Sequence, residues 1–193
     1  MSGKQKGKLF VISGPSGVGK GTLCSHLLRA DSDLVLSVSV TERPPRRMES
    51  HGKNYLFVEP GQFDSLINHD ELLEWNKYGN YRYGTPKKQV LDALGSGVDV
   101  VLEIEVNGAA QVKKNFPCTV TIFVMPPSIN QLKKRLAKRN TESKEQIAQR
   151  LLEAENEMKL CKNYDYIIIN DKIDKALIKL KEIIKNERGV SNQ

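Results

Sequence analysis

Gly14-Pro15-Ser16-Gly17-Val18-Gly19-Lys20-Gly21-Thr22 joins a short apolar, β-branched run, Lys8-Leu9-Phe10-Val11-Ile12-Ser13, to a helical period opened by Leu23, Leu27 and Leu28. Strand, G-x4-G-K loop and helix in that order form the context of a phosphate cradle. Glycines let the backbone turn its N–H groups around phosphate oxygens with no Cβ in the way, and the following helix offers its positive end to the same anion. Lys20 adds a full positive charge. Gly21 stands where this pattern usually has the hydroxyl that binds Mg²⁺, and the hydroxyl comes one residue later, at Thr22. The ion is therefore expected on nucleotide phosphates, water and Thr22.

The 193 residues fit one sizeable domain with small insertions, and 39% apolar composition is ample for a core. A net charge of +7 favours a polyanionic partner, nucleic acid or a nucleotide. Most lysines scatter over helices after Lys113 as on a solvated face, whereas the arginines cluster. Cys24, Cys118 and Cys161 are odd in number and far apart, which fits neither a disulfide framework nor a zinc site and suits a reducing cytoplasm. No apolar run approaches a membrane span, and Met1-Ser2-Gly3-Lys4-Gln5-Lys6-Gly7 lacks the apolar centre of a signal peptide. His26, His51 and His69 match no metal-site spacing.

After a helix to about Ala30, Leu34-Val35-Leu36-Ser37-Val38-Ser39 is predicted as a strand. Thr41-Glu42-Arg43-Pro44-Pro45-Arg46-Arg47-Met48-Glu49, rich in proline and charge, is predicted as an exposed loop. Tyr55-Leu56-Phe57-Val58, Leu72-Leu73-Glu74-Trp75 and Tyr81-Arg82-Tyr83 are short strands around a helix marked by Phe63, Leu66 and Ile67, and they resemble a small antiparallel sheet set into a larger α/β frame. Thr85-Pro86 has the form of a helix start, cap then proline, and Gly95-Ser96-Gly97 of its end. The run from Val98 to Glu105 has a continuous apolar middle, which suits a strand buried on both faces of a parallel sheet, and its two terminal glutamates cannot both be core residues. Further strands at Thr119 to Val124 and Tyr166 to Ile169 complete an alternation of strand and helix. That alternation argues for a doubly wound sheet with ligands at the carboxyl ends of its strands.

Between those last strands, Ile129, Leu132 and Leu136 stripe one helix, and Arg135 and Arg139 project together beside the stripe. Ser143 and Gln146 form a capping box for a second helix, with Ile147, Leu151, Ala154, Met158 and Cys161 on one face and Arg150 at its edge. Arginines there can be snorkelling side chains, but three of them flanking a helix-turn-helix near a phosphate loop suggest a lid.

Several stretches together resemble the guanylate kinase family of nucleoside monophosphate kinases over nearly the whole chain: the loop Gly14 to Thr22, Ser37 to Arg46, Gly52-Lys53-Asn54-Tyr55, Glu74-Trp75, Tyr81-Arg82-Tyr83-Gly84-Thr85, Leu102 to Gly108, and Pro126 to Arg139. The resemblance implies a five-stranded parallel P-loop core (1–39, 85–127 and 162–193), a GMP-binding insertion (40–84), and a lid with its following helix (128–161). It implies transfer of a phosphoryl group from ATP to GMP, and to dGMP, with Mg²⁺, and no membrane or nucleic-acid partner. Position by position it implies Ser39, Arg43, Arg46, Tyr55 and Tyr83 on the GMP phosphate, Glu74, Thr85 and Glu105 at guanine, Gly84 in the GMP site, and Glu103 near the metal. Arg135, Arg139 and Arg150 would meet the ATP phosphates with Lys20, and Asn170 would lie near adenine. The family usually has aspartate where Glu105 stands, commonly also at Glu103, and glycine where Asn140 stands.

The chemistry agrees with those residue types. Guanine shows two adjacent donors, N1–H and the 2-amino group, that one carboxylate accepts together, whereas adenine shows an acceptor at N1. Arginine forks and phenols can hold a phosphate dianion while leaving one oxygen free to attack, so no general base is needed. Two other readings compete. A catalytically inactive guanylate-kinase-like module binding a phosphorylated protein would be expected to lose Lys20 or the lid arginines, which this chain has. Nucleic-acid binding would need a recognisable fold and aromatics among lysines, but here the aromatics lie beside Glu74.

Overall fold

A computed structural model of the chain describes residues 6–138 and 143–190. In chain order the elements are β1 (Leu9–Ser13), α1 (Lys20–Ala30), β2 (Leu34–Leu36), β3 (Val40–Thr41), β4 (Leu56–Phe57), α2 (Pro60–Asn68), β5 (Leu72–Tyr78), β6 (Tyr81–Pro86) and α3 (Lys87–Gly95). They continue with β7 (Asp99–Glu103), α4 (Val106–Asn115), β8 (Val120–Met125), α5 (Ile129–Lys138), α6 (Lys144–Lys159), a 3-10 turn (Leu160–Asn163), β9 (Tyr166–Ile169) and α7 (Ile173–Val190).

The frame is a five-stranded sheet in the order β2-β7-β1-β8-β9, parallel throughout. Strand periodicity divides its core in two. Phe10 and Ile12 face α1 and α7, meeting Leu23, Leu27, Leu180 and Ile184, while Leu9 and Val11 face α3 and α4, meeting Val90, Ala109 and Val112. Val100, Val101 and Leu102 of β7 are all buried, as expected of a strand covered on both faces. The carboxyl ends of β1 and β7 open side by side at the loop that follows Ser13.

The second sheet has the order β4-β3-β6-β5. Its β3–β6 and β5–β6 pairs are antiparallel, but β4 lies parallel to β3, because the long 42–55 excursion brings the chain back in the same direction. The strand expected over 34–39 divides between the sheets. The frame ladder ends at Leu36, the Ser37 amide makes a last bond to Val101 O, and Val40–Thr41 pairs in the second sheet. The stretch expected as an exposed loop from Thr41 has two buried residues, Thr41 and Arg43, since the Thr41 hydroxyl bonds Arg82 O and takes the Arg43 amide. Thr85 does not cap a helix. β6 runs on through Pro86, and the Thr85 hydroxyl is committed elsewhere. The capping box of Ser143 and Gln146 is present, and Leu132, Leu136 and Ala154 join α5 to α6.

Candidate functional site

The loop 14–19 takes its shape from three glycines at positive φ, Gly14, Gly17 and Gly19. Close approach matters as much as dihedral angle. A Cβ on Gly14 would lie 2.3 Å from Val124 O, one on Gly17 2.6 Å from Leu136 Cδ2, and one on Gly19 2.8 Å from Asn170 Nδ2. Lys20, buried at the start of α1, donates through Nζ to Gly14 O and Pro15 O, at 2.5 and 3.2 Å. An ammonium held by carbonyls can exchange them for phosphate oxygens at little cost in position.

Side chains from the far end of the chain brace this loop. Arg135 donates to Val18 O at 3.0 Å and to Asn170 O at 2.7 Å, the buried Asn170 amide donates to Val18 O at 2.9 Å, and Arg150 reaches Ser16 Oγ at 2.5 Å. Arg139 and Asn140 lie outside the described residues. Thr22 is exposed on α1, whereas Glu103 comes in from β7, its carboxylate oxygens 3.4 and 3.5 Å from where a Cβ on Gly21 would stand.

A cavity of about 780 Å³ runs from this loop to the second sheet. Ser16 and Lys20 of the loop and Arg150 of α6 line it, together with Ser39, Arg43, Arg46 and Tyr55 from the stretch around β3 and β4 and Tyr83 of β6. Glu74, Gly84, Glu103 and Glu105 also line it, so the two groups of residues expected from sequence to bind anions face one cavity.

At the second-sheet end, Arg43 is buried beneath aromatic rings, its guanidinium carbon 5.5 Å from the Tyr55 ring centre and 5.8 Å from that of Phe57. Its Nε donates to Tyr83 Oη at 3.1 Å, and its Nη2 donates to both oxygens of Glu49. Burial pushes the Glu49 carboxyl up, but the Arg46 amide and the Arg43 guanidinium hold it below its ordinary range. Burial pushes the Tyr55 phenol up, so it stays a donor. Nothing local in the sequence distinguishes Glu49 from other loop carboxylates, so only the contact with Arg43 singles it out.

Glu74 lies on β5, 6% exposed, opposite Thr85 in the β5–β6 register. Burial pushes its carboxyl up to about 7, with the Thr85 hydroxyl, donating to Oε1 at 2.6 Å, opposing and Glu105 adding to the rise. A carboxyl poised near neutrality in a cavity wall is a candidate for a binding or reactive group. Burial also raises Glu103, against the pull of Lys20. On α6, burial and Glu105 push Glu157 up to about 7. Among the described residues no three His, Cys, Asp or Glu side chains gather as a metal site, and no helix is long and apolar enough to cross a membrane.

Comparison with known proteins finds relatives over nearly the whole chain. The guanylate kinase family model matches residues 6–187. A guanylate kinase of Caldanaerobacter subterraneus subsp. tengcongensis is 48% identical over 97% of this chain and 91% of its own length, and one of Syntrophomonas wolfei is 50% identical over 95% and 94%. The crystal structure of guanylate kinase from Anaplasma phagocytophilum superposes with a TM-score of 0.79 at 33% identity, covering 95% of this chain and 87% of that one. With the family model spanning the frame, the second sheet and the helices between β8 and β9, the chain belongs to the guanylate kinase family.

Proposed function

We propose that the two ends of the cavity hold the two nucleotides of the reaction that guanylate kinases perform, transfer of the γ-phosphoryl group of ATP to GMP. The observation that carries this division is that Lys20 and Arg43 line one cavity, with the buried Glu74 in its wall. In this reading residues 40–84 take up GMP and residues 128–161 cover ATP. The loop amides, Lys20, Arg135, Arg139 and Arg150 take the ATP phosphates, and Asn170 keeps the loop in shape near the adenine side.

Arg43, Arg46, Ser39, Tyr55 and Tyr83 hold the acceptor phosphate. One of its oxygens attacks the γ-phosphorus, the bond to the bridging oxygen breaks, and ADP leaves with the electron pair. The acceptor is already ionised near neutral pH, with a second pKa of about 6 for a phosphate monoester, so no side chain must remove a proton. What the residues supply is alignment and positive charge around a phosphoryl group whose own charge spreads in transit. Enclosure keeps water from taking the acceptor's place.

Glu103 fits a magnesium ion that enters with ATP, since it is a half-buried carboxylate beside Lys20 and Gly21. Thr22 is the second candidate ligand, and phosphates and water would fill the remaining positions, as Mg²⁺ commonly requires. The bound ion would neutralise phosphate charge there.

At the base, Glu74 accepts from guanine N1–H and the 2-amino group, with Thr85 and Gly84 beside it and Glu105 at the cavity edge. A coupled assay of ADP release with GMP, dGMP, AMP and UMP tests the reading. Turnover with GMP, less with dGMP and almost none with AMP or UMP is expected. Equal rates with AMP and GMP would remove Glu74 from base recognition.

A further inference from the structure

β5 is the edge strand of the inserted sheet, yet its first residues are fastened to the frame. Leu72 packs into the small core with Val40 and Phe63, whereas the next residue, Leu73, is buried in the frame core with Val11, Val90 and Leu102. A register shift between Leu72 and Glu74 accompanies this split. The outer edge of β5 is then met by α4. The side-chain amide of Gln111 takes the Trp75 N–H at 3.3 Å and donates to Trp75 O at 2.9 Å, pairing with the backbone as a neighbouring strand would.

Three residues earlier, on the same face of α4, lies Gly108. It is buried, and a Cβ there would stand 2.4 Å from Glu74 Oε2 and 3.0 Å from Glu74 Cδ. The carboxyl group fills the space that this glycine leaves, with Thr85 fixing its other oxygen.

We infer that Gly108 and Gln111 are positioning residues for guanine recognition: α4 of the frame, rather than the inserted sheet alone, sets where the Glu74 carboxylate meets the base. The inference rests on the assignment of Glu74 to guanine. A carboxylate accepting two neighbouring donors tolerates little displacement, and a misplacement of about 1 Å can cost on the order of a hundredfold. Among the described residues the Gln111 side chain bonds only backbone of the residue after Glu74, so its loss would act on the base through Glu74 and leave the phosphate groups of both nucleotides in place.

The test compares kcat/KM for GMP and IMP, which lacks the 2-amino group, in the wild type, Gln111→Met, Gly108→Ala and Glu74→Gln. Methionine keeps the volume of Gln111 without its bonds, and alanine is the better helix former, so each variant's thermal midpoint checks that folding is kept. In both α4 variants KM for GMP is expected to rise about tenfold, KM for ATP to stay within about twofold, and the GMP:IMP preference to shrink by about tenfold. If Glu74→Gln loses the preference while both α4 variants keep it, the role of α4 is overturned alone. If Glu74→Gln also keeps it, the assignment of Glu74 fails and the inference with it.

Discussion

Nη2 of Arg43 holds both carboxylate oxygens of Glu49, at 2.9 and 2.8 Å, so the guanidinium assigned to the acceptor phosphate already carries an anion. The two side chains are 9% and 16% exposed. The carboxylate offers the two-oxygen edge that a phosphate would offer, and it keeps a buried charge matched when GMP is absent.

Glu49→Ala is therefore expected to destabilise the nucleotide-free protein by about 2 kcal/mol, below the roughly 3–5 kcal/mol for breaking a fully buried pair. Saturating GMP is expected to restore most of that loss, because its phosphate meets the unpaired guanidinium. Urea unfolding with and without GMP measures both. An equal deficit in the two conditions would show that Arg43 does not meet the phosphate.

Lys20→Ala is expected to lower kcat by about a hundredfold to a thousandfold, the range for removing one preorganised charge-stabilising donor. GMP affinity by calorimetry should stay within about twofold, since Lys20 lies at the other end of the cavity. Loss of GMP binding would mean that the donor and acceptor sites are not separate.

The raised carboxyl of Glu74 makes both binding and stability depend on pH. Below about 7 the unliganded protein carries it protonated, and a protonated group cannot accept both guanine donors, so KM for GMP is expected to rise as pH falls from 8 to 6. Stability runs the other way. Between the ordinary glutamate value and about 7 the folded chain binds more protons than the unfolded one, so this group's contribution falls as pH rises through that window. Glu74→Gln should raise the midpoint of unfolding at pH 8, with the gain shrinking towards pH 4.5, while guanine preference is lost. A gain independent of pH would detach the effect from ionisation.

Two glycines at positive φ separate dihedral strain from collision. Gly52 has φ near 79° with open space around its Cβ position, and Gly14 has φ near 139° with Val124 O 2.3 Å away. Gly52→Ala is expected to cost about 1 kcal/mol and Gly14→Ala about 3 kcal/mol or more, read from denaturation midpoints at constant m-value. Equal costs would mean that the loop moves away from β8 freely.

Features written in neighbouring residues were legible from the chain alone. The glycine spacing and Lys20 announce the cradle, the uninterrupted apolar centre of β7 announces a strand covered on both sides, and Ser143 with Gln146 announces a helix start. Each depends on contacts a few residues apart, so period and composition carry it. Long-range contacts settle that the run after Leu36 leaves one sheet for another, that Thr85 serves Glu74 instead of capping α3, and that Glu49 closes on Arg43. The same holds for Gln111, which finds its backbone partner 36 residues away. A buried polar group must find a partner wherever the fold supplies one, and that choice is made by residues far apart in the chain, beyond the reach of any local pattern.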